Sequence, residues 1–151
     1  MVKRRRDRRA DRESGVTVVE FVLLTPILFF LMFATIEFGL VLYARHAAVA
    51  AAQEGARTAR EERYTDPNNW QKDTKYTTTG WVTTLVGKLV DGTVVATPTW
   101  QGSLTASHYP EAGVKLHFNV VTVVPWQFTV RAVSSGPVEC FYTPDGLCDG
   151  G

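Results

Sequence analysis

From Val16 to Tyr43 the chain is apolar, interrupted only by Thr17, Glu20, Thr25, Pro26, Thr35, Glu37 and Gly39. About 20 apolar residues in a helix suffice to cross a bilayer. This run exceeds that, and it is too long for the roughly 7–15-residue core of an ordinary secretory signal. The run therefore predicts a membrane-spanning helix. Pro26 should kink it, because proline removes one backbone hydrogen bond and crowds the preceding turn. Membrane helices tolerate such a break better than exposed ones. Glu20 needs its own explanation, since an ionised group at the centre of a membrane helix costs about 2.5–3.5 kcal/mol or more.

Charge sets the orientation. Residues 1–15 hold seven Lys/Arg and three Asp/Glu, whereas the remainder is mildly acidic and the whole chain carries a formal net charge of +1. Basic flanks stay on the cytoplasmic side, so the N-terminus is expected inside and Arg45 onward outside the cytoplasmic membrane. A nucleic-acid-binding tail would account for the arginines alone but not for the apolar run behind them. A twin-arginine export signal fits poorly, because acidic residues interleave the arginines. Tyr43, Arg45 and His46 are expected to mark the outer membrane–water boundary.

Helix formers continue past the membrane, from Tyr43 to Arg63. One helix from Val16 to Arg63 would be roughly 70 Å long at about 1.5 Å per residue. Along it small residues recur four apart, including Ala44, Ala48, Ala51, Gly55 and Ala59. That spacing makes a smooth ridge on which another element can approach closely. The partner would be the chain's own domain or a neighbouring subunit.

Tyr64 to Trp70, with Asp66-Pro67-Asn68-Asn69, reads as a loop. Beyond it the pattern changes to strands. Trp81–Val86 is β-branched and aromatic, although its apolar spacing would also allow a short helix. Thr93–Thr97 follows an Asp91-Gly92 turn. Val114–Val120 and Trp126–Val133 alternate apolar and polar residues and so bury one face each, with Pro125 at a turn or edge between them. The expected fold class is α+β: a long N-terminal transmembrane helix that continues outside the membrane and packs on a small antiparallel β-sheet domain. The expected divisions are a basic leader over 1–15, a transmembrane helix over 16–44, its extracytoplasmic extension over 45–63, and a β-rich extracytoplasmic domain over 64–151.

Cys140 and Cys148 flank a Pro144-Asp145-Gly146 turn on the external side, where a disulfide is permitted. A bridge closing so short a loop contributes about 2–3 kcal/mol in the chain-entropy model. The alternative is two free thiols. These cysteines with His46, His108 and His117 show no metal-ligand spacing, so neither metal nor cofactor is expected. No Gly-rich phosphate loop or zinc-helix motif occurs. Ser103, Ser107 and His108 are close in sequence but lack a nucleophile elbow. Trp70, Trp81, Trp100 and Trp126 could form a ligand platform, though core or packing roles suit a small domain better. No enzyme is expected.

Ser14-Gly15-Val16-Thr17-Val18-Val19-Glu20-Phe21, placed behind a cationic leader, resembles a type IVb prepilin cleavage site. With Leu24-Thr25-Pro26, Ile36-Glu37-Phe38-Gly39 and the alanine-rich continuation to Gly55-Ala56-Arg57, about the first 60 residues resemble TadE-like proteins, minor pseudopilins of the tight-adherence (Flp) pilus system. TadF-like relatives share the same opening. The resemblance implies cleavage between Gly15 and Val16 by a membrane aspartic prepilin peptidase. Glycine there lets backbone enter a narrow site without a side chain. It further implies that Glu20 neutralises the new Val16 amine (pKa about 8), its own or a neighbour's. Breaking one side of such a desolvated pair costs on the order of 3–5 kcal/mol, so it would set register. Glu37, toward the outer leaflet, faces a partner helix or reaches for water. The implied partners are the prepilin peptidase, other pilins or pseudopilins, the pilus assembly platform and the lipid bilayer. Two rivals differ in class: an uncleaved, signal-anchored extracytoplasmic binding protein, and, more distantly, a membrane-anchored hydrolase.

Overall fold

The computed structural model describes residues 3–102, 110–122 and 126–138. In chain order it contains α1 (Lys3–Thr65), α2 (Trp70–Val86), a short 3-10 turn (Gly87–Leu89), β1 (Val90–Gln101), β2 (Glu111–Val120) and β3 (Phe128–Pro137). By contact the chain divides into two units, Met1–Gly39 and Leu40–Gly151.

The first unit is helical. Most of its side chains from Val18 to Phe38 are apolar and exposed, with Phe21 70 % and Leu28 68 % exposed. The most apolar window of α1 has none of its residues buried, unlike the core helix of a soluble protein, and is long and apolar enough to cross a membrane. α1 runs on through Pro26. Thr25 donates its hydroxyl to the Phe21 carbonyl at 2.6 Å, which satisfies that polar group within the helix.

The second unit joins the last part of α1, α2 and a three-stranded antiparallel sheet in the order β1-β2-β3. Val114, Leu116, Phe118 and Val120 of the central strand are buried, while Lys115 and His117 between them are exposed. This period of two aims one face of β2 at the helices. There it meets Ala44, Ala47, Ala48, Ala51 and Ala52 of α1, together with Val82 and Val86 of α2, in one core cluster. A second, smaller cluster joins Ala59, Trp70, Ala112 and Val138.

Of the two readings open for Trp81–Val86, the helix holds: the segment is the last part of α2, not a strand. Trp70, Thr74, Thr78, Val82 and Val86 are its buried residues, one every four positions, so a single helical stripe faces the core. Threonine-rich sequence favours strands by local preference. Here packing overrides that preference, and the hydroxyls of Thr78, Thr79, Thr83 and Thr84 bond to carbonyls one turn back at 2.7–2.9 Å. The part of the chain expected to be β-rich from residue 64 onward thus opens with a helix. The loop expected over Tyr64–Trp70 is shorter, since α1 runs to Thr65 and α2 starts at Trp70; between them Asn69 Nδ2 donates to Asp66 Oδ2 at 2.9 Å, and Trp70 N–H to the Asp66 carbonyl at 3.0 Å.

Thr93–Thr97 and Val114–Val120 lie in β1 and β2 as expected. Of the strand expected over Trp126–Val133, β3 includes the part from Phe128 and extends to Pro137, while Trp126 and Gln127 precede it. The Asp91-Gly92 pair is not a turn before β1. It lies within the strand, where the β1–β2 register shifts between Asp91 and Val95 and Gly92 adopts φ 85°. This is a bulge, placed at a residue that takes positive φ without strain. Pro125 and the Cys140/Cys148 pair lie outside the described residues.

Gly55 is where three elements converge. A Cβ built there would overlap Thr78 Oγ1 of α2 and stand 3.1 Å from Val114 Cγ1 of β2. Gly80, on the exposed side of α2, has open space at its Cβ position. Gly55→Ala should therefore lower stability by about 1–3 kcal/mol through overpacking. Gly80→Ala should raise it by about 0.5–1 kcal/mol through helix preference and a less disordered unfolded chain. Chemical unfolding in detergent, read by tryptophan fluorescence, checks both signs.

Candidate processing and assembly site

Gly15, Val16 and Glu20 all lie on α1, whose backbone is helical through the glycine. Positions 16 and 20 are four apart, hence neighbours on one helix face. Glu20 is exposed among Val18, Val19, Phe21 and Val22, each at least 60 % exposed. Glu37 is half-buried. It lies 17 positions beyond Glu20, or roughly 26 Å along the helix. Since the hydrocarbon layer is about 30 Å thick, the two carboxylates are spaced to sit near its opposite edges. Pro26 lies between them.

The small residues Ala44, Ala48, Ala51, Gly55 and Ala59 lie on the part of α1 that enters the second unit, and all five are buried. They are apart in sequence from the Gly15–Glu20 group. On the opposite side of α1, Arg57 binds Glu54 at 2.7 Å and Glu61 at 3.4 Å. These neighbours raise the Arg57 pKa further above its usual value, the hydrogen-bonded Glu54 most. Such exposed helix pairs add little stability.

Sequence reasoning missed the arrangement at the end of α1. The Arg63 guanidinium carbon stands 4.5 Å from the centre of the Trp100 ring and 5.7 Å from that of Trp70. Both distances are within cation–π range. Arg63 is also in the last turn of α1, where a cation suits the helix dipole. Its Nε is shut off from solvent without a hydrogen-bond partner among the described residues, so the indole faces are its principal contacts. Trp70 and Trp100 thus close one end of the core. Trp81 and Trp126 stand elsewhere, 44 % and 65 % exposed, so the four tryptophans do not form a single platform. Nothing in the linear spacing of Arg63, Trp70 and Trp100 signals this stack; the Asp66–Asn69 turn and the sheet bring them together.

Next to Arg63 in sequence, Glu62 has one carboxylate oxygen buried without a hydrogen-bond partner among the described residues. Burial raises its pKa above the usual carboxylate value, and Asp73, Asp66 and Glu61 push in the same direction. A folded-state pKa above the unfolded one stabilises the fold below the unfolded value, and that contribution is lost as pH rises through the folded value. Glu62→Gln should therefore raise the neutral-pH unfolding midpoint and flatten its rise upon mild acidification. Unfolding curves across the acid range, compared with the parent protein, check this.

Among the described residues no group of three or more His, Cys, Asp or Glu side chains is placed to hold a metal ion. A shallow open depression of about 620 Å³ is lined by Tyr76, Thr77, Thr79, Gly80, Trp81, Thr83 and Thr84, all on α2. It brings together no acid, base or nucleophile with a partner, the minimum for a catalytic constellation. Ser103, Ser107 and His108 lie outside the described residues.

The family model for TadE-like protein matches residues 15–57. The chain therefore carries a TadE-like segment over part of its length, from Gly15 through the apolar helix to Arg57. Comparison with curated proteins and with solved structures gives no match. The match and the long apolar helix together support a TadE-like, membrane-anchored protein.

Proposed function

We propose that this TadE-like, membrane-anchored chain is a pseudopilin-like subunit, cleaved after Gly15 by a prepilin peptidase and used in assembling a tight-adherence pilus. The observation carrying this reading is the family match over residues 15–57, which begins at the glycine and includes Glu20. Residues 1–15 act as the leader, 16–44 span the cytoplasmic membrane with the N-terminus inside, and 45–63 carry the helix into the extracytoplasmic part, 64–151. The arginines of the leader hold the scissile bond at the cytoplasmic face. A peptidase needs local backbone to leave the helix, and glycine lowers that cost by about 1 kcal/mol relative to alanine.

Cleavage frees the Val16 amine one helical turn from Glu20. In apolar surroundings a carboxylate and an ammonium each need the other, since either one alone is costly to desolvate. The pairing, within one subunit or between neighbours, would set the register of packed helices. Other pseudopilins, the assembly platform and the peptidase are the partners this reading requires. The rival is an uncleaved anchor whose helix is only a tether.

N-terminal sequencing of protein extracted from membranes that contain the peptidase separates the two. A start at Val16 supports maturation, and an intact Met1 rejects it. Substituting a bulky residue at Gly15 should leave the full-length chain to accumulate. Glu20→Ala should be processed normally yet fail to assemble with its partners, and equal assembly by that variant would overturn the pairing.

A further inference from the structure

We propose that the end of the second unit nearest Tyr43 is a membrane-contacting foot, whose side chains Tyr43, Val121, Trp126 and Phe128 rest in the lipid headgroup layer. The inference rests on the membrane-anchored reading and adds a surface which that reading does not require. Contacts define the two ends of this unit. At one end the Tyr43 hydroxyl donates to the Leu85 carbonyl at 3.3 Å, and Val121 N–H to the Leu89 carbonyl at 2.8 Å. Val120 of β2 pairs with both Val90 and Phe128. At the other end Ala59, Trp70, Ala112 and Val138 cluster. From Trp70 to Leu85 along α2 is about 22 Å.

Large apolar side chains are distributed unequally between these ends. At the far end Trp70 is 5 % exposed. At the near end Tyr43 is 53 %, Val121 48 %, Trp126 65 % and Phe128 39 % exposed. The Thr122 hydroxyl donates to the Trp126 carbonyl at 2.7 Å and ties its backbone to the end of β2. Arg45 and Lys88, also exposed, stand within two or three residues of Tyr43 and Leu85. Left in water, such a cluster would be a liability.

Continuity with the apolar run identifies the occupant. That run ends at Tyr43, so the bilayer surface lies at the residue whose hydroxyl ties α1 to the end of α2. Tryptophan and tyrosine favour the headgroup layer, where the ring is half in lipid and its polar edge finds partners. Lysine and arginine beside them can extend to phosphate. A second copy of the chain would cover the patch equally well by area but would not explain why it includes Tyr43, the residue at which the apolar run ends.

The test uses the full chain reconstituted in vesicles of equal parts phosphatidylcholine and phosphatidylglycerol, with part of the lipid brominated near the top of its acyl chains. Flotation after an alkaline wash reads anchoring separately from tryptophan quenching. The expected result is flotation with strong quenching that Trp126→Phe largely abolishes and Trp70→Phe, at the far end, leaves in place. Flotation with quenching untouched by Trp126→Phe would overturn the foot while leaving the anchor standing. Quenching that disappears as protein is crowded into the vesicles would assign the patch to a second copy and also overturn it. Loss of flotation would overturn the anchor and the foot together.

Discussion

Close approach at Gly55 organises the second unit. α1 can lie against both α2 and the sheet only because its inward stripe is alanine and glycine, and at this position no side chain separates it from Thr78 and Val114. The buried alanines on either side extend the same contact along the helix. A small-residue stripe removes little apolar area per residue, so the larger contributions come from the facing side. Val114, Leu116, Phe118 and Val120 supply that area from β2. The helix gives proximity and the strand gives bulk, and neither surface would be covered without the other.

The same helix meets two solvents. Its run from Val16 to Tyr43 is apolar on nearly every side, as lipid demands. Its later portion is apolar on one stripe and charged on the other, as in the exposed Glu54–Arg57–Glu61 group. The change falls near Tyr43, where the second unit begins to cover α1. The segment bearing Gly15 and Glu20 and the stripe bearing Gly55 belong to one secondary-structure element.

Local pattern and tertiary context contributed differently to what could be read beforehand. The spanning run, the helix beyond it and the strand at Val114–Val120 were legible because each carries a strong period or a long uniform composition. α2 was not. Its threonines and valines prefer extended backbone locally, and their four-residue spacing acquires meaning only when α1 offers a surface to pack on. The Asp91-Gly92 pair was legible as a departure from regular strand but not as a bulge, since a turn and a bulge ask the same thing of glycine. In the candidate site, the Gly15–Glu20 spacing was visible at once because it falls within six consecutive residues. The Arg63 stack was invisible, since Trp100 reaches it only through the sheet.

By itself the amino-acid order determined that a long apolar helix follows a basic N-terminal segment, that a small-residue stripe continues it, and that alternating strands come after. These are properties of neighbours in sequence, governed by hydropathy and backbone preference over a few turns. Tertiary structure alone decided that α2 is a helix, that Arg63 reaches two indole rings, and that Tyr43, Val121 and Trp126 share one end of the unit. Each of those outcomes depends on which distant surfaces exclude water from one another, a quantity that no short window of residues contains.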